Sequence, residues 1–178
     1  MKQFTFSLLV ATLCILTSCT ETKTNVACVG DSITEGATIY WESSESYPVI
    51  LGNLLGHSYN VTNCGRSATT LQKEGDFPYW RCKDFHNVFA SKPNIIVVKL
   101  GTNDTKPYNW NAERFASSYQ ALIDTFQTIT PQPKIYLCLP VPVYETKWGI
   151  NDSTVVNGVI PAIKAMAEKN KLAIIDLY

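Results

Sequence analysis

Apolar residues in this chain cluster in short consecutive runs rather than at alternate positions. Five runs read as β-strands: Asn25–Val29, Tyr59–Thr62, Ile95–Leu100, Ile135–Leu139 and Leu172–Asp176. Each is brief and rich in β-branched residues, the pattern of parallel strands covered on both faces. Between them the period lengthens to that of a helix. Tyr47 to Leu55 ends at Gly56, a good helix stop, and Arg81 to Ala90 gathers Phe85, Val88 and Phe89 on one side. Ala112 to Ile129 carries Phe115, Tyr119, Leu122, Ile123 and Phe126 and is closed by Pro131. The last helix takes Asp152 or Ser153 as its cap and runs through Val156, Val159, Ile160, Ile163 and Met166 or Ala167, with Pro161 predicting a kink or a later start.

Alternating strands and helices predict an α/β, doubly wound, flavodoxin-like, three-layer fold on a five-stranded parallel sheet. Right-handed crossovers place every strand-to-helix loop at one end of such a sheet, where sites form. At 178 residues and 46% apolar content, this is one globular domain with no repeat or internal linker. Charge balances at 15 against 15 without a basic run, which argues against nucleic acid as a partner.

The first residues read as a processing segment. Lys2 is followed by an apolar stretch, Phe4 to Leu16, too short for an ordinary membrane span. Leu16-Thr17-Ser18-Cys19 resembles a bacterial lipobox, which implies cleavage before Cys19 and its acylation. The expected division is a signal peptide over 1–18, a polar tether over 19–24 and the domain over 25–178. That places the protein outside the cytoplasm, lipid-anchored in a bacterial envelope. Cys28 and Cys138 fall in strands as small apolar residues, whereas Cys64 and Cys82 lie in or near loops and are able to pair. No CxxC or Cys/His cluster is present, so neither metal nor cofactor is expected.

Three polar turns follow apolar runs: Gly30-Asp31-Ser32-Ile33, Asn63-Cys64-Gly65 and Gly101-Thr102-Asn103-Asp104. A serine in a sharp turn leaving a buried strand holds its hydroxyl out of the core. An acyl-transfer site needs such an oxygen and donors aimed where the tetrahedral intermediate gathers negative charge. The Gly65 N–H, with no side chain in the way, the Asn103 amide and the Ser32 N–H are the candidates. Asp31 orders the first turn, and Asp104 supports the third.

Gly30-Asp31-Ser32-Ile33-Thr34-Glu35-Gly36, Asn63-Cys64-Gly65-Arg66-Ser67-Ala68-Thr69 and Gly101-Thr102-Asn103-Asp104 resemble the first three sequence blocks of the SGNH (GDSL-type) hydrolases. The resemblance implies a serine esterase or acylhydrolase with Ser32 as nucleophile and Ser32, Gly65 and Asn103 as the oxyanion hole. That family also has an Asp-x-x-His block supplying the base, and no position here matches it. The expectation is therefore a domain incomplete at its C-terminus, lacking the last helix and impaired in turnover. His57 precedes the second strand and so belongs to the opposite end of the sheet, roughly 17 Å away along a five-residue strand. His86 sits mid-helix.

Trp41, Trp80, Trp110 and Trp148 fall one each in the loops after the first four strands, with polar neighbours suited to stacking on sugar rings; one or two of them could equally plug the core under their loops, but not all four. Tyr79-Trp80, Leu100 to Pro107 and Asn109-Trp110 also resemble bacterial sugar O-acetylesterases, sialate O-acetylesterases among them. The expected substrate is thus a small or glycan ester, chiefly an O-acetyl sugar. A rival reading is a non-catalytic carbohydrate-binding lipoprotein on the same fold; a flavin or nucleotide binder is disfavoured by the lack of a glycine-rich phosphate cradle. Lys99, inside a buried strand, is expected to reach the sheet end or pair with a carboxylate.

Overall fold

The computed structural model describes residues 22–178. The leader and Cys19 lie outside them. Five strands form one parallel sheet: β1 (Thr24–Gly30), β2 (Tyr59–Gly65), β3 (Ile95–Lys99), β4 (Lys134–Cys138) and β5 (Ala173–Ile175), in the order β2-β1-β3-β4-β5. This is the doubly wound arrangement, and the order reverses beside β1, so the loops after β1 and β3 diverge over the sheet's C-terminal edge.

Register sorts the side chains into two faces. Val26 pairs with Val61 and Ile95, and Val97 with Tyr136; on this face the helix α3 (Tyr47–Leu55) packs Gly52 against Val61. Ala27, Val29, Ile96, Val98, Ile135 and Leu137 point the other way. They form the main core with α4 (Lys83–Ala90), α5 (Ala112–Gln127) and α7 (Ile160–Asn170). Phe85 and Phe89 of α4 meet Phe126 of α5 with ring centroids 6.1 Å apart in each case. Two-sided coverage is not uniform: on the α3 face Ile95, Val97 and Tyr136 are only half-buried, because α3 lies chiefly over β2.

Two short helices, α1 (Ser32–Glu35) and α2 (Glu42–Glu45), precede α3. Near the end of the chain, α6 (Asp152–Thr154) runs through a π-helical turn, Val155–Val159, into α7. Pro161 is the second residue of α7, and the wide turn directly before it absorbs the misfit of its ring and missing N–H. The cap of α6 is Asn151, whose side chain accepts from Thr154 N, and not Asp152 or Ser153. Asp152 instead accepts from Val143 N at 2.8 Å and from the Tyr178 hydroxyl at 2.8 Å. Cys28, Cys64, Cys82 and Cys138 are all free and buried, so the pairing open to Cys64 and Cys82 is not made.

Candidate active site

The first turn is built by an exacting glycine and a buried ion pair. A Cβ on Gly30 would collide with the Thr34 hydroxyl and come within 2.7 Å of Lys99 O, so only glycine lets α1 fold back this closely. Asp31 caps α1: its Oδ1 accepts from Ile33 N at 3.0 Å and from Lys99 Nζ at 3.2 Å. Both side chains are almost wholly buried, at 1% and 2% exposure. Lys99 thus pairs with a carboxylate, one of the two outcomes its position allowed. Ser32 opens α1, accepting Gly36 N and Ala37 N through its carbonyl, while its hydroxyl faces a cleft.

That cleft, about 610 Å³, is lined by Ser32, Ile33, Ala37, Thr38, Ser67, Ala68, Asn103, Lys106, Tyr108, Trp148 and Ile150. Loops after β1, β2, β3 and β4 all contribute, as the topology requires. Asn103 sits on a 3-10 turn, Asn103–Thr105. Its Nδ2 donates one hydrogen to Thr69 O at 3.1 Å, leaving the second, and its carbonyl accepts from Asn109 Nδ2. Asp104 beside it accepts from Leu71 N and Gln72 N, both at 2.8 Å, and so ties the third loop to the second. Burial pushes its carboxyl up to about 6, against the pull of those two backbone donors.

Gly65 is placed otherwise than expected. β2 runs three residues further than the apolar run indicated, so Gly65 is still in the strand, opposite Gly30. Its N–H donates to Asn63 Oδ1 at 2.9 Å, and a Cβ there would strike the backbone of Thr34 and Glu35. It supports the turn and does not line the cleft. The residue that does is Ala68. Ser67 N is taken by Glu35 Oε2 at 2.6 Å and Thr69 N by Arg66 O at 3.4 Å. Ala68 N has no acceptor among the described residues, nor does Ser32 N. Ala68 is held at φ 65°, the left-handed region, in order to make this turn. Its residue type gave no hint; a longer β2 was the missing clue.

Of the four tryptophans expected at the mouth, Trp148 alone lines the cleft among the described residues. Trp80 donates Nε1–H to Leu71 O at 2.8 Å and packs on Phe85, and Trp110 lies against Phe115 and over Gly158. Both support loops from inside. Trp41 is exposed beside Tyr40, outside the lining. Tyr108, Lys106 and Ile150 are cleft residues that the sequence did not single out. No histidine is in the lining: His57 borders a separate hollow with Gly56 and Tyr59 at the start of β2, and His86 is on α4 against Phe85. Neither Cys28 nor Cys64 lines the cleft, and burial pushes both thiols up to about 12, away from the thiolate.

A serine hydroxyl, two free backbone N–H groups and an amide N–H at one cleft are the parts of an acyl-transfer site. Residues 28–178 match the family described as GDSL-like lipase/acylhydrolase. The chain belongs to that family. Among curated proteins it is similar to an acetylxylan esterase of Xylanibacter ruminicola, 36% identical over 176 residues. That match covers 89% of this chain but only 37% of the relative, so the chain spans little more than a third of the relative's length. Among solved structures it is similar to an aryl esterase of M. smegmatis, with a TM-score of 0.71 at 20% identity, covering 86% of this chain and 83% of that one. A carbohydrate acetylesterase from Sinorhizobium meliloti, Est24, gives a TM-score of 0.69 at 22% identity, covering 86% and 84%. At such identities these two likenesses speak for the fold of this GDSL-like chain.

Proposed function

We propose that this chain is a serine esterase domain that removes O-acyl groups, chiefly O-acetyl, from carbohydrates. The observation that carries this is the convergence of Ser32, Ala68 and Asn103 on one cleft. In the proposed reaction Ser32 Oγ attacks the acyl carbonyl, and the developing oxyanion accepts from Ser32 N–H, Ala68 N–H and the second Asn103 Nδ2 hydrogen. The carbon–oxygen bond to the sugar breaks as the sugar oxygen takes the proton given up by Ser32 Oγ; water then attacks the acyl-serine, its hydroxyl leaving with the acyl group as the acid and its other hydrogen returning to Ser32 Oγ. The 36% identity to an acetylxylan esterase supports an acetylated sugar as the leaving group.

The cleft holds no histidine among the described residues, so this chain tested alone is proposed to turn over slowly, by a factor of about 10⁶ relative to a complete triad. Imidazole in the buffer replaces the missing base. Hydrolysis of p-nitrophenyl acetate should rise with imidazole in the wild type well beyond the rise seen with Ser32→Ala. Equal rates in the two proteins at every imidazole concentration would sink the esterase reading.

A second reading is a carbohydrate-binding protein that uses the same cleft, with Tyr108 and Trp148 exposed in its lining, without the chemistry. Glycan binding with no Ser32-dependent hydrolysis under imidazole would select it. Anchoring in a bacterial envelope through Cys19 completes either reading and rests on the leader sequence. Labelled fatty acid should enter the wild type and not Cys19→Ser in a bacterial host.

A further inference from the structure

Lys106 is the single charged side chain in the cleft lining among the described residues, and it is only 6% exposed. Its ammonium donates to Asp76 Oδ2 at 3.0 Å and lies 5.9 Å from the Tyr108 ring centroid. An ammonium has three hydrogens, and the other two meet no oxygen or nitrogen acceptor among the described residues. A buried donor left unmet is costly unless a ligand meets it. Asp76, by contrast, is fully engaged: Asn109 Nδ2 reaches its Oδ1 at 2.8 Å, the Tyr108 hydroxyl its Oδ2 at 3.4 Å, and its own N–H bonds Asn109 Oδ1 at 3.0 Å. The pair is therefore a fixed, net-neutral unit with spare donors. Two large rings line the same cleft, Tyr108 at 67% and Trp148 at 79% exposure.

We infer that Lys106 is a specificity residue, donating to a ring hydroxyl of a neutral sugar that lies against Trp148 or Tyr108 while its ester meets Ser32. The inference rests on the carbohydrate-ester reading of the cleft. Hydroxyl oxygens accept from the two spare hydrogens, and the apolar faces of the sugar suit the two rings. A uronate carboxylate is disfavoured, since the Asp76 carboxylate, 3.0 Å from the ammonium, already offsets its charge. An aryl ester uses the rings and ignores the ammonium.

The test is calorimetric titration of the whole chain carrying Ser32→Ala, which prevents turnover. The ligands are acetylated xylotriose, an acetylated oligosaccharide of equal length bearing a uronate, and phenyl acetate. Acetylated xylotriose should bind more tightly than the uronate ligand. Lys106→Met should weaken it about tenfold or more, and Lys106→Gln, which keeps a donor, should restore part of the loss. Phenyl acetate should bind all three proteins alike. Thermal unfolding identifies any variant that has lost its fold, in which case Lys106→Gln alone decides. Unchanged xylotriose affinity in the folded variants, or a preference for the uronate that Lys106→Met abolishes, would overturn the inference. Failure of the esterase reading appears separately, as the absence of Ser32-dependent p-nitrophenyl acetate hydrolysis, and leaves this binding result standing.

Discussion

Lys99 and Asp31 carry opposite charges in a place that water does not reach, directly beneath the Ser32 turn. Such a pair adds little over an apolar pair of the same shape, but removing one partner strands the other. Lys99→Met should therefore cost about 3–5 kcal/mol in urea unfolding, whereas Asp31→Leu combined with Lys99→Met should recover much of that loss. An unchanged urea midpoint for the single variant would show that the pair is not formed. Gly65 answers to packing instead of charge. Gly65→Ala forces a methyl into the backbone of α1 and should cost about 1–3 kcal/mol or more, while displacing the very turn that presents Ser32. A fully stable, fully active Gly65→Ala protein would refute this account. These two residues mark what sequence makes visible at this scale. A lysine in a buried strand announces a partner, because no isolated charge survives there. A glycine announces only a need for room, and at Gly65 the room serves packing, while Ala68, a residue type that gives no signal, lines the cleft with its N–H free.

At the scale of elements, the strands were legible as brief, unbroken apolar runs and the helices as longer stretches of helical period. All five strands and the helices over Tyr47–Leu55 and Ala112–Gln127 appear where the apolar pattern put them. Boundaries were less so. The segment Asn63-Cys64-Gly65 looks like a polar turn, yet it extends β2 because the Gly30–Gly65 pairing continues the ladder and Asn63 satisfies Gly65 N–H from its own side chain. Two of the aromatic loops take the inward course the sequence left open: Trp80 and Trp110 follow the site-end strands but are drawn inward by a hydrogen bond to Leu71 and by Gly158, whose bare backbone admits a ring. Asn151 joins two such loops. Its Oδ1 caps α6, and its backbone N–H and Nδ2 donate to Thr105 Oγ1 and Thr105 O. Asn151→Ala should lose about 1–2 kcal/mol of stability, the cap and its bonds to Thr105 together. Because Trp148 is three residues away, the variant should also weaken glycan binding more than it lowers p-nitrophenyl acetate hydrolysis. Equal losses in both would place the effect in the Ser32 turn and not in the Trp148 loop.

For the whole molecule, two carboxylates beside the cleft pull stability in opposite directions with pH. Burial raises Asp76, but hydrogen bonds from Asn109 and Lys106 outweigh it and hold its carboxyl below the ordinary range. Its contribution is fully present above about pH 4 and fades as pH falls through the lowered folded value. Asp104 is the reverse case. Burial, with the Asp31 charge adding to it, lifts its carboxyl to about 6, so between roughly pH 4 and 6 the folded protein holds a proton that the unfolded chain has released. Raising pH across that window therefore destabilises the fold through this group, on the order of 2–3 kcal/mol in all, and above it the penalty is constant. Asp104→Asn cannot titrate. The difference in unfolding free energy between wild type and Asp104→Asn should thus move against the wild type from pH 4 to 6.5 and flatten beyond. Because Asp104 tethers Leu71 and Gln72, the same titration should alter the loop that carries Ala68, giving imidazole-supported esterase activity a dependence on pH that the asparagine variant lacks. A difference curve that is level across pH 4 to 6.5 would show that the buried carboxyl keeps an ordinary proton affinity, held there by its two backbone donors.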